Sequence, residues 1–417
     1  MILFSDYWPG TSAYVVLVIL LVLIVGIIVL GVLYGESMNQ LKAVKTATST
    51  LNTGPPKVNY FRNLNTAQNS VSSAYTYPAR VLFIGDNMTG KAYDSNFSID
   101  YKQHSLPAYF TFLTGSTQNR PVMSQNFFGF ESASLDKRVT MDSAWAADTS
   151  PLCGVGGHMI QAKSNGTITF KTTMISMYAN VDVYAYQQSS PFTVKIGTQA
   201  AVTVTPSSLS AISGQIVKQT VTYTNNYLQS TPVIVIQSTG ATTTRPVSLF
   251  GLSYRYTAYD EVINCGFDAN SSQVINNSTI TGAVGAGILA LAPSVVVVNI
   301  GSVDFKDGTS QQTYVNNMQI LFSFLKNNNI PFFVMTPPWQ TTSSTDVQTA
   351  YVSALKSTMN ALNVPYIDFQ AEMQSLSVQQ NLGMSMPSDT ASGMMTFVGA
   401  LKGAQDVMVA LTGSAPQ

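Results

Sequence analysis

Four short apolar runs, separated by long amphipathic patterns, most limit what this chain can fold into. They are Val81–Ile84, Val295–Ile300 (Val-Val-Val-Val-Asn-Ile), Pro331–Met335 and Pro365–Phe369. None alternates polar with apolar, so each reads as a strand covered on both faces. Helical periodicity follows at 311–327, 345–362 and 393–412. Apolar strands spaced by such helices predict a parallel sheet with helices on both sides. A second texture interrupts the first between about 160 and 255. There, short stretches such as Val181-x-Val183, Val194-x-Ile196, Val202-x-Val204 and Val233–Ile236 are separated by Gly, Ser, Asn and Pro. This spacing predicts a small antiparallel β-sandwich. The α/β pattern resumes with Glu261–Cys265. The expected fold class is therefore α/β, a flavodoxin-like doubly wound parallel sheet with an inserted antiparallel β-sandwich. Its α/β domain covers 80–159 and 256–417, and the insertion covers 160–255.

The N-terminal part is different in kind. Val15–Leu33 holds only aliphatic residues and glycine. Within Ala13–Tyr34 it is long enough, at about 1.5 Å per residue, to cross a bilayer core of about 30 Å. Tyr7, Trp8, Tyr14 and Tyr34 stand where an interfacial aromatic belt would. A cleaved signal peptide fits less well, because no Lys or Arg precedes the run and no Ala-x-Ala site follows it. The expectation is a short segment 1–12, one transmembrane helix over 13–34 and a helical stalk and linker over 35–79. Gly54-Pro55-Pro56 ends the stalk helix. Lys42 and Lys45 place the large C-terminal part on the cytoplasmic side, whereas sequons at Asn87, Asn96, Asn165, Asn270, Asn276 and Asn277 suit the secreted side. The residues leave both orientations open.

Acids and bases balance at 20 each, which gives no electrostatic footprint for a nucleic-acid partner. Only 10% of residues are charged, where about 25% is usual. Ser, Thr, Asn and Gln make up the difference, as is common in extracellular and virion proteins.

Chemistry concentrates at the ends of the apolar strands. The first strand runs into Gly85-Asp86-Asn87-Met88-Thr89, Asn264-Cys265-Gly266-Phe267 ends another, and Gly301-Ser302-Val303-Asp304 follows the Val-rich run. In order and strand context these blocks resemble those of the SGNH (GDSL-type) esterase and lipase family, over about 80–135 and 247–412. The resemblance implies a serine nucleophile in the first block, a glycine N–H oxyanion donor in the second and an asparagine oxyanion donor in the third. An Asp-x-x-His pair is implied before the C-terminal helix. Here the nucleophile position is Asn87, whose amide cannot form an acyl-enzyme. Gly266 keeps one donor. Val303 replaces the asparagine and has no side-chain N–H. Alignment on Asp389 puts the base at Ser392, and alignment on Gly399 puts it at Met394; neither side chain titrates near neutrality. Positions that shape the site (Gly85, Asp86, Gly266, Gly301 and Asp304) match, and those that perform its chemistry do not. The expected vestigial site is Asp86, Asn87, Gly266, Val303, Asp304, Asp389 and Ser392, with no catalytic residue. The alternative is that these are ordinary β-to-α turns of another doubly wound domain.

His104 and His158 lack partners at metal spacing, and Cys153 and Cys265 form no CxxC, so no metal and no cofactor is expected. Trp145 and Trp339 suit either a sugar-stacking surface or core packing. The leading expectation is a membrane-anchored, catalytically inactive SGNH-like protein with a structural or binding role, such as a virion protein linking membrane and capsid. It would contact the lipid bilayer through Ala13–Tyr34, and other structural proteins. The alternatives are a membrane-anchored carbohydrate binder holding a glycan, and an esterase with relocated groups, Ser302 or Thr89 with Asp304.

Overall fold

The computed structural model describes residues 61–62, 74–86, 105–118, 121–124, 127–129, 138–148, 159–172, 178–213, 216–224, 232–256, 259–266, 271–276, 280, 282–340, 343–382, 384 and 396–412. The expected membrane span at 13–34 lies outside these residues. Among the described residues no helix is long and apolar enough to cross a membrane.

The anticipated strands form one sheet. Its spatial order is Tyr366–Ile367, Phe332–Met335, Val295–Asn299, Arg80–Gly85, Asp260–Gly266 and Val122–Ser124, all parallel. The chain starts at Arg80–Gly85, moves to one side and then crosses to the other, so the order reverses between Arg80–Gly85 and Val295–Asn299. Such a reversal leaves a crevice at the carboxyl ends of the two strands.

Helices cover both faces. On one face Leu82, Ile84, Val296, Val298 and Val334 share a core with Leu321, Phe322 and Leu325 of helix Gln311–Asn327 and Leu355 of helix Thr345–Ala361. On the other, Phe83 lies 5.5 Å from Phe110 of helix Leu106–Gln118, centroid to centroid. Helix Phe397–Thr412 packs beside that helix. The two long helices begin where serine hydroxyls accept the first free N–H groups, Ser310 from Thr313 and Ser344 from Val347. The strand expected over Pro365–Phe369 is shorter, Tyr366–Ile367, because Asp368 turns to cap helix Phe369–Glu372.

Two antiparallel sheets complete the described fold. One runs Val202–Val204, Phe192–Ile196, Val233–Ser238, Gly166–Lys171, Val139–Met141. The other runs Ala211–Ser213, Ile216–Thr224, Tyr178–Tyr186, Val247–Arg255, Met159–Ala162, Trp145–Asp148, with Phe127–Gly129 also paired to Val247–Arg255. Phe170, Phe192, Val194 and Ile236 of the first sheet meet Val183, Val217 and Leu252 of the second in one core. The second sheet is buried on its reverse face too, where Tyr184, Ile216 and Phe250 join the core of the α/β sheet. Strand Val247–Arg255 is therefore buried along almost its whole length.

Three boundaries differ from expectation. Antiparallel strands begin at 127, ahead of the expected start at 160, and Trp145 anchors this stretch in the shared core at 4% exposure. Phe61–Arg62, placed in the linker, pairs antiparallel with Tyr366–Ile367 as an edge strand. Tyr75 and Ala79, also placed in the linker, are buried.

Candidate functional site

The point where the strand order reverses carries the three motif blocks. Gly85 pairs in register with Gly266 on one side and with Asn299 on the other, so the first and second blocks end side by side. Asp86 is the next residue and is buried. Its Oδ2 accepts from the N–H groups of Gly301 at 2.9 Å and Ser302 at 2.6 Å. Its own N–H donates to the Asn299 carbonyl at 3.2 Å. The first turn is thus clamped to the third block by charge-assisted bonds.

Gly301 has φ 142°, which L side chains rarely adopt. A Cβ there would lie 2.6 Å from Pro337 Cγ and 2.8 Å from the Tyr314 hydroxyl. That hydroxyl donates to the Ile300 carbonyl at 2.8 Å, holding the turn from its far side. Helix Ser302–Asp307 begins immediately afterwards and buries Ser302, Val303, Asp304 and Phe305. Val303 is 2% exposed and offers only methyl groups.

Asp304 is held by Ser272. Its Oδ2 accepts from the Ser272 N–H at 2.8 Å and its Oδ1 from the Ser272 hydroxyl at 2.7 Å. Asn317 Nδ2 donates to the same Ser272 oxygen at 3.2 Å. Burial raises the Asp304 carboxyl above the ordinary carboxylate range, and nearby Asp86 pushes the same way; the two Ser272 bonds oppose them. Burial also raises the Tyr314 phenol, with Asp304 and Asp86 adding to it. Ser272, Tyr314 and Asn317 were not singled out in the sequence. A serine in a Ser/Asn-rich loop and two residues inside a helical pattern carry no motif that points at Asp304.

The structure brings Asp86, Gly266, Val303 and Asp304 to one end of the sheet. Asn87, Asp389, Ser392 and Met394 lie outside the described residues. The suggested pairing of Ser302 with Asp304 does not form: the Asp304 carboxylate is engaged by Ser272, and the buried Ser302 hydroxyl has no hydrogen-bond partner among the described residues. Trp339 is buried, donating from Nε1 to the Gln370 carbonyl at 3.1 Å, and Trp145 sits in the antiparallel core. Neither ring is open for stacking on a sugar. Among the described residues no three His, Cys, Asp or Glu side chains are placed to hold a metal ion.

No family model and no curated protein matches the chain by sequence. Comparison of folds defines the class: a mixed α/β fold, a parallel sheet joined to antiparallel sheets, consistent with an SGNH-like arrangement. A structure titled "Peptidoglycan O-acetylesterase in action, 5 min" superposes with TM-score 0.52 at 13% identity, covering 85% of this chain and 96% of its own. A lipase/acylhydrolase from Enterococcus faecalis gives TM-score 0.29 at 17% identity, covering 38% of this chain and 80% of its own. A putative lipolytic protein of the G-D-S-L family from Desulfitobacterium hafniense DCB-2 gives 0.29 at 15%, covering 37% and 82%. At 13% identity the first likeness is one of fold alone.

Proposed function

We propose that this chain is a catalytically inactive SGNH-like protein, anchored in a membrane through Ala13–Tyr34, whose α/β domain binds or assembles with other proteins. The observation that carries the reading is Val303. It occupies the position where the resemblance calls for an amide oxyanion donor, and its buried side chain has no N–H to present. Losing one such donor costs about 2.7–4 kcal/mol of barrier. Asn87 at the nucleophile position, and Ser392 or Met394 at the base position, each remove a further part of the mechanism, and losing a nucleophile or base alone costs on the order of 10⁶ in rate. The clamp of Asp86 on Gly301 and Ser302 supports the same reading: the positions that give the site its shape are retained for folding, not for turnover.

The low-charge, amide-rich composition suits a densely packed assembly, and a virion layer between membrane and capsid is the setting proposed for it. The decisive assay is hydrolysis of p-nitrophenyl acetate by the purified full-length chain. The expected rate equals that of buffer with an inert carrier protein. Turnover that disappears in Ser302→Ala would overturn the proposal. Fractionation of purified particles tests the setting, which requires the chain to copurify with them.

A further inference from the structure

Helix Gln311–Asn327 carries a feature that neither its packing nor the motif blocks use. Its inner face is apolar and buried. Its outer face, together with Asn276 and Ile280, lines an open groove of about 940 Å³. Ile320 and Phe324, both partly buried, contribute the apolar surface. Asn316, Gln319, Ser323 and Asn327, exposed and three or four residues apart, form the polar wall on the same stripe. The Phe324 ring rests against Gly285, where a Cβ would come within 2.8 Å of it, so the ring is seated from below.

Two properties narrow the ligand. Among the described residues lining the groove, none is ionisable. Nothing there would neutralise a phosphate or coordinate a cation. Secondly, the polar groups are not all spent on the fold. Asn317 is committed to Ser272 and Asn276 to the Gln273 carbonyl, but the side chains of Gln319, Ser323 and Asn327 make no hydrogen bond among the described residues. An apolar protein partner would bury these polar groups unpaired, at about 1–3 kcal/mol each. A ligand with many neutral hydroxyls would satisfy them, because each amide, and the serine hydroxyl, offers both a donor and an acceptor.

We infer that this groove is a binding site for a neutral oligosaccharide, with Ile320 and Phe324 under the C–H face of a sugar ring and Gln319, Ser323 and Asn327 on its hydroxyls. The volume lies within the range of about 300–1,000 Å³ usual for ligand sites. The groove is separate from the crevice at the strand ends, and the inference stands whether or not that crevice hydrolyses esters. Its floor reaches Asp304 through Asn317 and Ser272.

Saturation-transfer NMR and calorimetry on the full-length chain, with cellohexaose and chitohexaose as neutral probes, test it. Binding of at least one probe is expected. The double variant Gln319→Ala/Asn327→Ala should weaken it at least about tenfold, about 1.4 kcal/mol, and Ser323→Arg, which projects a long side chain into the groove, should abolish it. All three positions are exposed, so circular dichroism should be unchanged. Asn87→Ser/Val303→Asn should leave probe binding intact. Binding of neither probe, binding unchanged in the groove variants, or binding lost only in the Asn87/Val303 variant would each overturn the inference; the last would place the sugar in the strand-end crevice.

Discussion

Gly301 shows how a single residue can be fixed by geometry while the chemistry around it changes. Its φ of 142° and the approach of Pro337 and Tyr314 leave no room for a methyl group. Its N–H is also one of the two that Asp86 accepts. Gly301→Ala is expected to cost about 1–3 kcal/mol in urea unfolding, with a matching fall in midpoint and little change in slope. An unchanged midpoint would mean that the turn relaxes freely around the added methyl group. The same residue illustrates what is legible in sequence. Gly85-Asp86 and Gly301 could be read because a glycine directly after a buried strand has few other uses. The Ser272–Asp304–Asn317 network could not, since its members come from a single 3-10 turn and two α-helices and meet only when the fold is complete. Val303 was legible only through the resemblance, because a valine in the first turn of a helix is unremarkable in itself.

At the scale of elements, the last helix carries a charged cluster that its apolar pattern hides. Lys402 of Phe397–Thr412 donates to both oxygens of Asp406, one turn on, and to Glu372 of helix Phe369–Glu372. Lys402 and Asp406 are buried. Two carboxylates share one ammonium, and burial raises the Asp406 carboxyl to about 7, against the pull of Lys402 and with Glu372 adding to the rise. An unfolded aspartate titrates near 3.9. The folded chain therefore holds more protons than the unfolded chain between about pH 4 and about pH 7, and stability falls as pH rises through that window. The slope is at most about 1.4 kcal/mol per pH unit, one proton's worth. Glu372→Gln leaves one acid and one base, so the fall with pH should flatten when midpoints are measured from pH 4.5 to 8. A slope identical to that of the unsubstituted chain would show that the excess proton resides elsewhere. Long elements with serine caps, such as Gln311–Asn327 and Thr345–Ala361, were legible to within a residue. Phe61–Arg62 and Val122–Ser124 were not, because two or three residues carry no periodicity and exist as strands only by pairing with an edge already formed.

Across the described molecule, the antiparallel sheet containing Tyr178–Tyr186 and Val247–Arg255 belongs to two cores at once. Val183 and Leu252 face the partner sheet, while Tyr184, Ile216 and Phe250 face the α/β layer. Polar ties hold each layer together within itself. Arg80, at the start of the first parallel strand, pairs with Glu261 and donates to the Leu291 carbonyl. Asp182, on the strand that carries Tyr184, accepts from Arg255 at 3.0 Å and Thr220 at 2.6 Å. A sheet with one face in each core cannot lose one layer without exposing apolar surface from the other, at about 25 cal/mol per Å². The insertion should therefore not unfold as an independent domain, although its sequence texture reads as one. Trp145 lies in the antiparallel core and Trp339 beside the parallel sheet. Each can thus report on its own layer by fluorescence, with Trp8 common to both measurements. Trp145→Phe and Trp339→Phe should be compared, each against its own far-ultraviolet circular dichroism midpoint. Within each variant the fluorescence and dichroism midpoints are expected to coincide, as a single cooperative transition requires. Separate midpoints, with the Trp145 signal lost first, would mean that Tyr184, Ile216 and Phe250 only rest on the α/β layer.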